Sequence, residues 1–145
     1  MVLPMGKQET DDPGEAGPLW CSVAWDVSGT PIADARHAVR TLLARAGHHP
    51  HHRTSQDAQL VVSELVTNAV RHAPGPGTLL LELTPEAGHL RIVVRDSSPR
   101  LPEPQPHDAR RVGGHGLHLV ALLCERMHTV PLRTGKQVIA HVGLR

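Results

Sequence analysis

A glutamate and an asparagine four residues apart are the pair in this sequence best suited to chemistry. Glu64 and Asn68 fall within a long helical pattern, and at about 100° per residue their side chains lie nearly above one another. The apolar stripe of this helix is centred on Leu65, so both lie at its border. A carboxylate and an amide placed there can act as a general base and a Mg²⁺ ligand. The same spacing also occurs on ordinary solvent-facing helix surfaces.

A glycine-rich segment before the last helical pattern is suited to binding an anion. Gly113, Gly114 and Gly116 precede an apolar run, and glycine lets backbone amides approach a phosphate closely at a helix N-terminus. Arg110 or Arg111 can add positive charge from the loop before it. A flexible turn would have the same composition. Neither a Walker A loop nor a GxGxxG motif is present in the sequence.

One aspartate stands where a predicted strand ends. Asp96 follows the alternating Leu90, Ile92 and Val94 and leads into two serines and a proline. An aspartate in this position is often an ordinary turn residue. A buried carboxylate can instead accept a hydrogen bond from the amino group of a purine and reject a carbonyl at the same place, which predicts that a 6-amino purine is favoured over a 6-oxo purine.

The periodicity of the chain predicts the elements that position these residues. Strands are expected at residues 20–27, 78–84, 89–95, 130–132 and 138–142. Helices are expected from Thr30 as N-cap to a stop at Gly47, from the capping-box-like residues 54–57 to about Ala73, and over residues 117–127. This order predicts an α/β (α+β) sandwich with three helices packed on one face of a mixed, mainly antiparallel sheet.

Composition limits the class of protein. The chain has 145 residues, a formal charge of +1 and two tryptophans as its aromatic residues, which disfavours nucleic acid as a partner. No apolar run is long enough to span a bilayer, so a cytoplasmic protein without membrane contact is expected. Residues 1–18 lack apolar periodicity and are predicted to be a flexible tail before one domain at 19–145. Cys21 and Cys124 are predicted to be small core residues.

Histidines raise two further predictions. The tract His48-His49-Pro50-His51-His52 is interpreted as a solvated loop, and a metal-binding tract is the alternative. His72 falls near the centre of the stripe on the second helix, which predicts a buried, hydrogen-bonded structural histidine.

Three segments, taken in order, resemble a known family. SELVTNAVRHA at residues 63–73, VRD at 94–96 and GGHGLHLV at 113–120 are similar to the N, G1 and G2 boxes of the histidine-kinase-like (GHKL) ATPases. Within that family the chain resembles the single-domain branch of bacterial anti-sigma-factor serine/threonine kinases. The resemblance runs from about residue 20 to residue 142, and the N-box string is its most specific part.

The resemblance implies the roles of the site residues. Glu64 would polarise the attacking hydroxyl or water, Asn68 would hold Mg²⁺, and Asp96 would bind the adenine amino group. Residues 97–112 would form the ATP lid. The residues implied to contact the nucleotide or its metal ion are Asn68, Asp96, Arg111, Gly114, Gly116 and Leu117.

The resemblance also implies a function. We expect a Mg²⁺/ATP-dependent serine/threonine kinase that sequesters a sigma factor and phosphorylates an anti-sigma antagonist protein; a nucleotide-gated scaffold that transfers nothing is the alternative. Monomer and homodimer both remain open. The family's DxGxG reads Asp96-Ser97-Ser98-Pro99-Arg100 here, and Lys136 follows Gly135 where related kinases carry a small hydroxyl residue. Both departures predict weaker nucleotide binding.

Overall fold

The described part of the chain consists of helices and strands in a simple order. The computed structural model describes residues 6–7, 19–26, 31–84, 88–97 and 116–144. The elements are β1 (Gly6–Lys7), β2 (Leu19–Trp25), α1 (Ile32–Arg45), α2 (Arg53–His72), β3 (Gly77–Leu83), β4 (His89–Asp96), α3 (Gly116–Leu123), β5 (Arg126–Leu132) and β6 (Gly135–Gly143).

The strands form one sheet in the order β1-β2-β3-β4-β6-β5. Short connections join β3 to β4 and β5 to β6, and β4 lies beside β6 in the middle of the sheet. The predicted fold class is confirmed. The sheet, predicted to be mixed and mainly antiparallel, differs in one respect. All five strand pairings among the described residues are antiparallel, so no parallel pair occurs in the described part of the sheet.

The core lies between the sheet and the helices. One row across the sheet joins Val23, Leu79, Val94 and Val138, and all four side chains are buried in one apolar cluster with residues of α1 and α2. Because side chains alternate along a strand, every second residue from this row faces the helices. Helix α2 lies in the middle of the helical layer and packs against α1, α3, β3 and β4.

The first two helices begin at residues that differ from the predicted ones. Pro31 immediately precedes α1, and Thr30 lies outside the described residues. Helix α2 begins at Arg53 after the extended residue His52, and no side chain caps its first turn. Ser55, predicted within a capping box, is buried and accepts a hydrogen bond from Gln59 Nε2 at 3.2 Å. The ends of α1 and α2, at Arg45 and His72, agree with the predicted ones.

The last helix is shorter than predicted and the strand after it is longer. Helix α3 ends at Leu123, and β5 already begins at Arg126. Met127, expected at the end of the helix, instead lies opposite Ala140 and packs against the core. The long strand β6 offers backbone partners along its whole length, and this pairing ends the helical pattern early.

Three smaller predictions have mixed outcomes. The prediction that His72 is buried is wrong, because its side chain is exposed. Gly6 and Lys7, placed in the flexible tail, pair with Trp20 and Leu19 of β2. The remainder of residues 1–18 lies outside the described part, so the division at residue 18 stays a prediction.

The two cysteines are free thiols. Cys21 is buried in the core, as predicted, and Cys124 packs half-buried against it. Burial raises the pKa of the Cys21 thiol and raises that of Cys124 to about 11, so both stay protonated at neutral pH. Among the described helices, none is long and apolar enough to cross a membrane.

Candidate functional site

Glu64 and Asn68 lie on the border of the buried face of α2, as predicted. Both side chains are half-buried, whereas Leu65 between them is buried in the core. A half-buried carboxylate keeps access to a ligand while its helix is held firmly by packing on both sides. The helix therefore presents these two groups one turn apart at the edge of the core.

Glu64 lines an open cleft between the first two helices. The cleft has a volume of about 550 Å³. Helix α1 supplies two guanidinium groups to its wall, and α2 supplies polar side chains together with Glu64. The lining residues are Arg36, Arg40, Pro50, His51, Gln56, Gln59, Leu60, Ser63 and Glu64. Glu64 is thus the candidate catalytic group that the structure places beside space for a second molecule.

Asp96 is the last residue of β4 and faces the helical layer. It lies two residues beyond the buried Val94, so its side chain is on the same face of the sheet as the core. Its carboxylate is only 4% exposed. The structure thus favours the buried carboxylate over the exposed turn residue that the sequence left open.

Lys136 of β6 forms an ion pair with this carboxylate. The two residues lie directly opposite in the antiparallel register. The Lys136 ammonium nitrogen donates to Asp96 Oδ1 at 3.1 Å and lies 2.9 Å from Oδ2. The lysine side chain is 6% exposed. A buried charge is tolerated only when it is paired, so each of these residues accounts for the burial of the other.

The turn between β5 and β6 packs closely against the end of β4. Gly135 has φ +132°, and a Cβ added there would overlap the Asp96 carbonyl oxygen. Glycine is required here both by its backbone conformation and by the absence of space. The close approach fixes Lys136, the next residue, opposite Asp96.

Replacing Gly135 by alanine is expected to cost about 2–5 kcal/mol of unfolding free energy, because a strained φ and a steric overlap add together. Gly47→Ala is the matched control: Gly47 has φ +92° but no atom within 4 Å of an added Cβ, so it carries the backbone strain alone. Urea denaturation of both variants measures the difference. Equal losses of stability would contradict the close packing of this turn on Asp96.

A hydrogen bond connects the loop between α2 and β3 to the residue after β4. Ser97 Oγ donates to the Pro76 carbonyl at 2.7 Å, and Pro76 follows the last turn of α2. Asn68 lies one turn before the end of that helix. The contact therefore places the Asn68 end of α2 at the same end of the sheet as Asp96.

The glycine-rich part of the predicted site is described only at Gly116. Gly116 is the first residue of α3, which packs against α2. Just beyond the far end of α3, the Glu125 amide donates a hydrogen bond to the His141 carbonyl. Arg111, Gly114 and the predicted lid beyond Ser97 lie outside the described residues, as does the side chain of Leu117.

The histidine tract gives no support to the metal alternative. The His49 ring lies near the rings of His51 and His52 in tilted orientations, with ring centroids 5.3 and 5.7 Å apart. The Nδ1 atom of His49 accepts a hydrogen bond from the His51 amide at 3.1 Å. Within the described ranges, no group of three or more histidine, cysteine, aspartate or glutamate side chains could hold a metal ion.

The comparison with family models decides the family. The model of the histidine kinase-like ATPase domain matches residues 29–141, which is most of the chain and includes both α2 and the Asp96 strand. The chain belongs to the histidine kinase-like ATPase domain family. The prediction of the broad family is thereby confirmed.

The comparison with solved structures found a chain that is similar in part. The histidine kinase domain from the Erythrobacter litoralis EL346 blue-light activated histidine kinase is 26% identical, with a TM-score of 0.45. The match covers 63% of this chain and 45% of that one, so this chain spans less than half of that structure. The comparison with curated proteins finds no match.

Lys136 is the site residue that sequence reasoning did not assign. The sequence showed it as a departure after Gly135, where related kinases of this family carry a small hydroxyl residue. The lysine directly after Gly135, just before the last predicted strand, was the available signal. The pairing itself depends on the register of β4 against β6, and only the structure contains this register.

Proposed function

We propose that this histidine kinase-like ATPase domain is an ATP-binding regulator that acts as a serine/threonine protein kinase of the anti-sigma-factor type. The family supports ATP binding. The kinase activity is supported by the position of Glu64, which lies in the wall of an open cleft one turn from Asn68. A sigma factor and a small antagonist protein are the proposed partners, in the cytoplasm.

The proposed role of Glu64 follows from its surroundings. A general base must be within hydrogen-bonding reach of the hydroxyl that it activates. The cleft between α1 and α2 can admit a serine or threonine of a second protein to that carboxylate. Glu64 would accept the hydroxyl proton as the oxygen bonds to the γ-phosphorus, and ADP would leave with the electrons of the broken bond. Arg36 and Arg40 add positive charge to the cleft wall.

The residues on α2 fit a nucleotide with its metal ion. The half-buried amide of Asn68 offers an oxygen of the type that Mg²⁺ prefers, and it lies at the Asp96 end of the sheet. When bound, Mg²⁺ would offset the charge of the phosphates during transfer. At Asp96 the site differs from the arrangement that the resemblance implies, because the carboxylate proposed to bind adenine already pairs with Lys136.

Labelled nucleotide tests the proposed function. We expect transfer of ³²P from γ-labelled ATP to a serine or threonine of a candidate antagonist protein, identified by acid-stable label and phosphopeptide mapping. ATP binding without any transfer to a panel of such proteins would support the alternative, a nucleotide-gated binding protein. A complete absence of ATP binding in calorimetric titration would contradict both functions.

Asn68→Ala is expected to remove the contribution of Mg²⁺ to ATP binding. In the wild-type protein, we expect ATP to bind about tenfold or more tightly with Mg²⁺ than with EDTA, because the metal links the amide to the phosphates. In the variant, the two affinities should become nearly equal. Paired calorimetric titrations measure this, and the EDTA titration controls for general damage. A variant that keeps the full Mg²⁺ effect would exclude Asn68 as the ligand.

A further inference from the structure

We propose that Lys136 is a specificity-determining residue, and that its ion pair with Asp96 allows this site to accept 6-oxo purine nucleotides as well as adenine nucleotides. The inference rests on the proposed nucleotide-binding function. It concerns the group that a purine meets at the end of β4. A free carboxylate there would select an amino group, whereas the structure shows a carboxylate that already holds a cation.

The ammonium group occupies the front of the carboxylate. Its nitrogen is nearly equidistant from the two oxygens of Asp96, at 3.1 and 2.9 Å, and it therefore contacts both oxygens at once. An incoming amino group would need much the same position to bond either oxygen from the front. Lys136 thus takes the place that a simple adenine contact to Asp96 would require.

The ion pair is expected to remain intact when a nucleotide binds. Both side chains are almost fully buried, and separating them would leave two charges in an environment that solvates neither. A neutral amino group on a base cannot replace the charge of the ammonium. The base must therefore adapt to the pair, and the lysine is part of the surface that recognises it.

The pair presents a hydrogen-bond donor where the aspartate alone presents only acceptors. An ammonium carries three N–H donors, and its two described contacts to Asp96 leave a third for a ligand. That donor can bond N1 of adenine or the 6-oxo group of hypoxanthine or guanine, since both atoms are acceptors. The net charge of the pair is zero, so a carbonyl oxygen no longer faces an unpaired carboxylate. The basis for rejecting a 6-oxo purine is thereby removed.

Inosine triphosphate is the sharpest probe of this inference. It differs from ATP at the 6-position and N1, and it lacks the additional 2-amino group of GTP. In calorimetric titrations with Mg²⁺, the wild-type protein is expected to bind ITP within about threefold of ATP. Lys136→Met removes the donor but keeps the length of the side chain, and it should weaken ITP relative to ATP by about tenfold or more. Lys136→Arg keeps a cationic donor and should retain the wild-type ratio.

The ratio of two affinities makes the test independent of partial damage to the variant. If Lys136→Met does not fold, the ITP/ATP ratio of the wild-type protein decides: ITP binding more than about tenfold weaker than ATP binding would overturn the inference. An unchanged ratio in a folded Lys136→Met protein would show that the ion pair is structural only, and would also overturn it. Absence of binding for both nucleotides would instead contradict the proposed function on which the inference rests.

Discussion

Replacing Glu64 by glutamine is expected to slow phosphoryl transfer by about 10²–10⁴-fold while ATP affinity stays within about threefold of wild type, because a general base contributes about that much to the rate and little to ground-state binding. Glutamine keeps the size of the side chain and loses its ability to accept a proton. The half-buried position at the cleft wall should be preserved, so the folded structure should change little.

The measurement is the rate of transfer from γ-labelled ATP to the antagonist protein, beside a titration of ATP binding. Glu125→Gln is the matched control, because Glu125 is an exposed glutamate that pairs with His89 and does not line the cleft beside Glu64. That variant should transfer phosphate at the wild-type rate. A Glu64→Gln protein that retains full activity would exclude Glu64 as the base, and equal losses in both variants would indicate a general effect of charge.

Breaking the buried ion pair is expected to have the largest effect on stability. Asp96→Leu and Lys136→Met should each lower the unfolding free energy by about 3–5 kcal/mol, since each leaves one uncompensated buried charge. The double variant Asp96→Leu/Lys136→Met leaves no charge and should lose clearly less than the sum of the two single losses. An ion pair in water would show no such coupling, because exposed pairs contribute about 0–1 kcal/mol.

Urea denaturation of the four proteins completes this thermodynamic cycle. The coupling energy is the difference between the double loss and the sum of the single losses, and it should exceed about 2 kcal/mol. The partly exposed pair of Arg91 and Glu82, whose side chains are 39% and 40% exposed, supplies a control cycle in which the coupling should be small. Additive losses at Asp96 and Lys136 would contradict a buried, mutually dependent pair.

The helix carrying Glu64 and Asn68 could be predicted from sequence because its information is local. A period of 3.6 residues sets which side chains share a face, and a stripe of small and branched apolar residues sets which face is buried. His72 shows the limit of that reasoning. It has the right angle for the core, but it lies in the last turn of α2 and its side chain is exposed.

The end of α3 could not be predicted from sequence, because residues after Leu123 could either continue the helix or pair with β6. Residues 117–127 are apolar enough to continue a helix, yet residues 126 and 127 gain a full antiparallel partner in β6. Backbone groups near the core must be satisfied by some element, and β6 is present to satisfy these. The sequence predicted the last strand, but local patterns do not show how far its pairing with β5 extends.

The amino-acid sequence alone determined the order of the three helices and of the five longer strands, the face of α2 that bears Glu64 and Asn68, and the resemblance to the family that the comparison then confirmed. Only the tertiary structure decided that Asp96 is buried against Lys136, because that contact joins residues 40 positions apart through the register of β4 and β6. Local periodicity depends on bonds between neighbours, whereas the chemistry of a buried charge depends on which distant strand lies beside it.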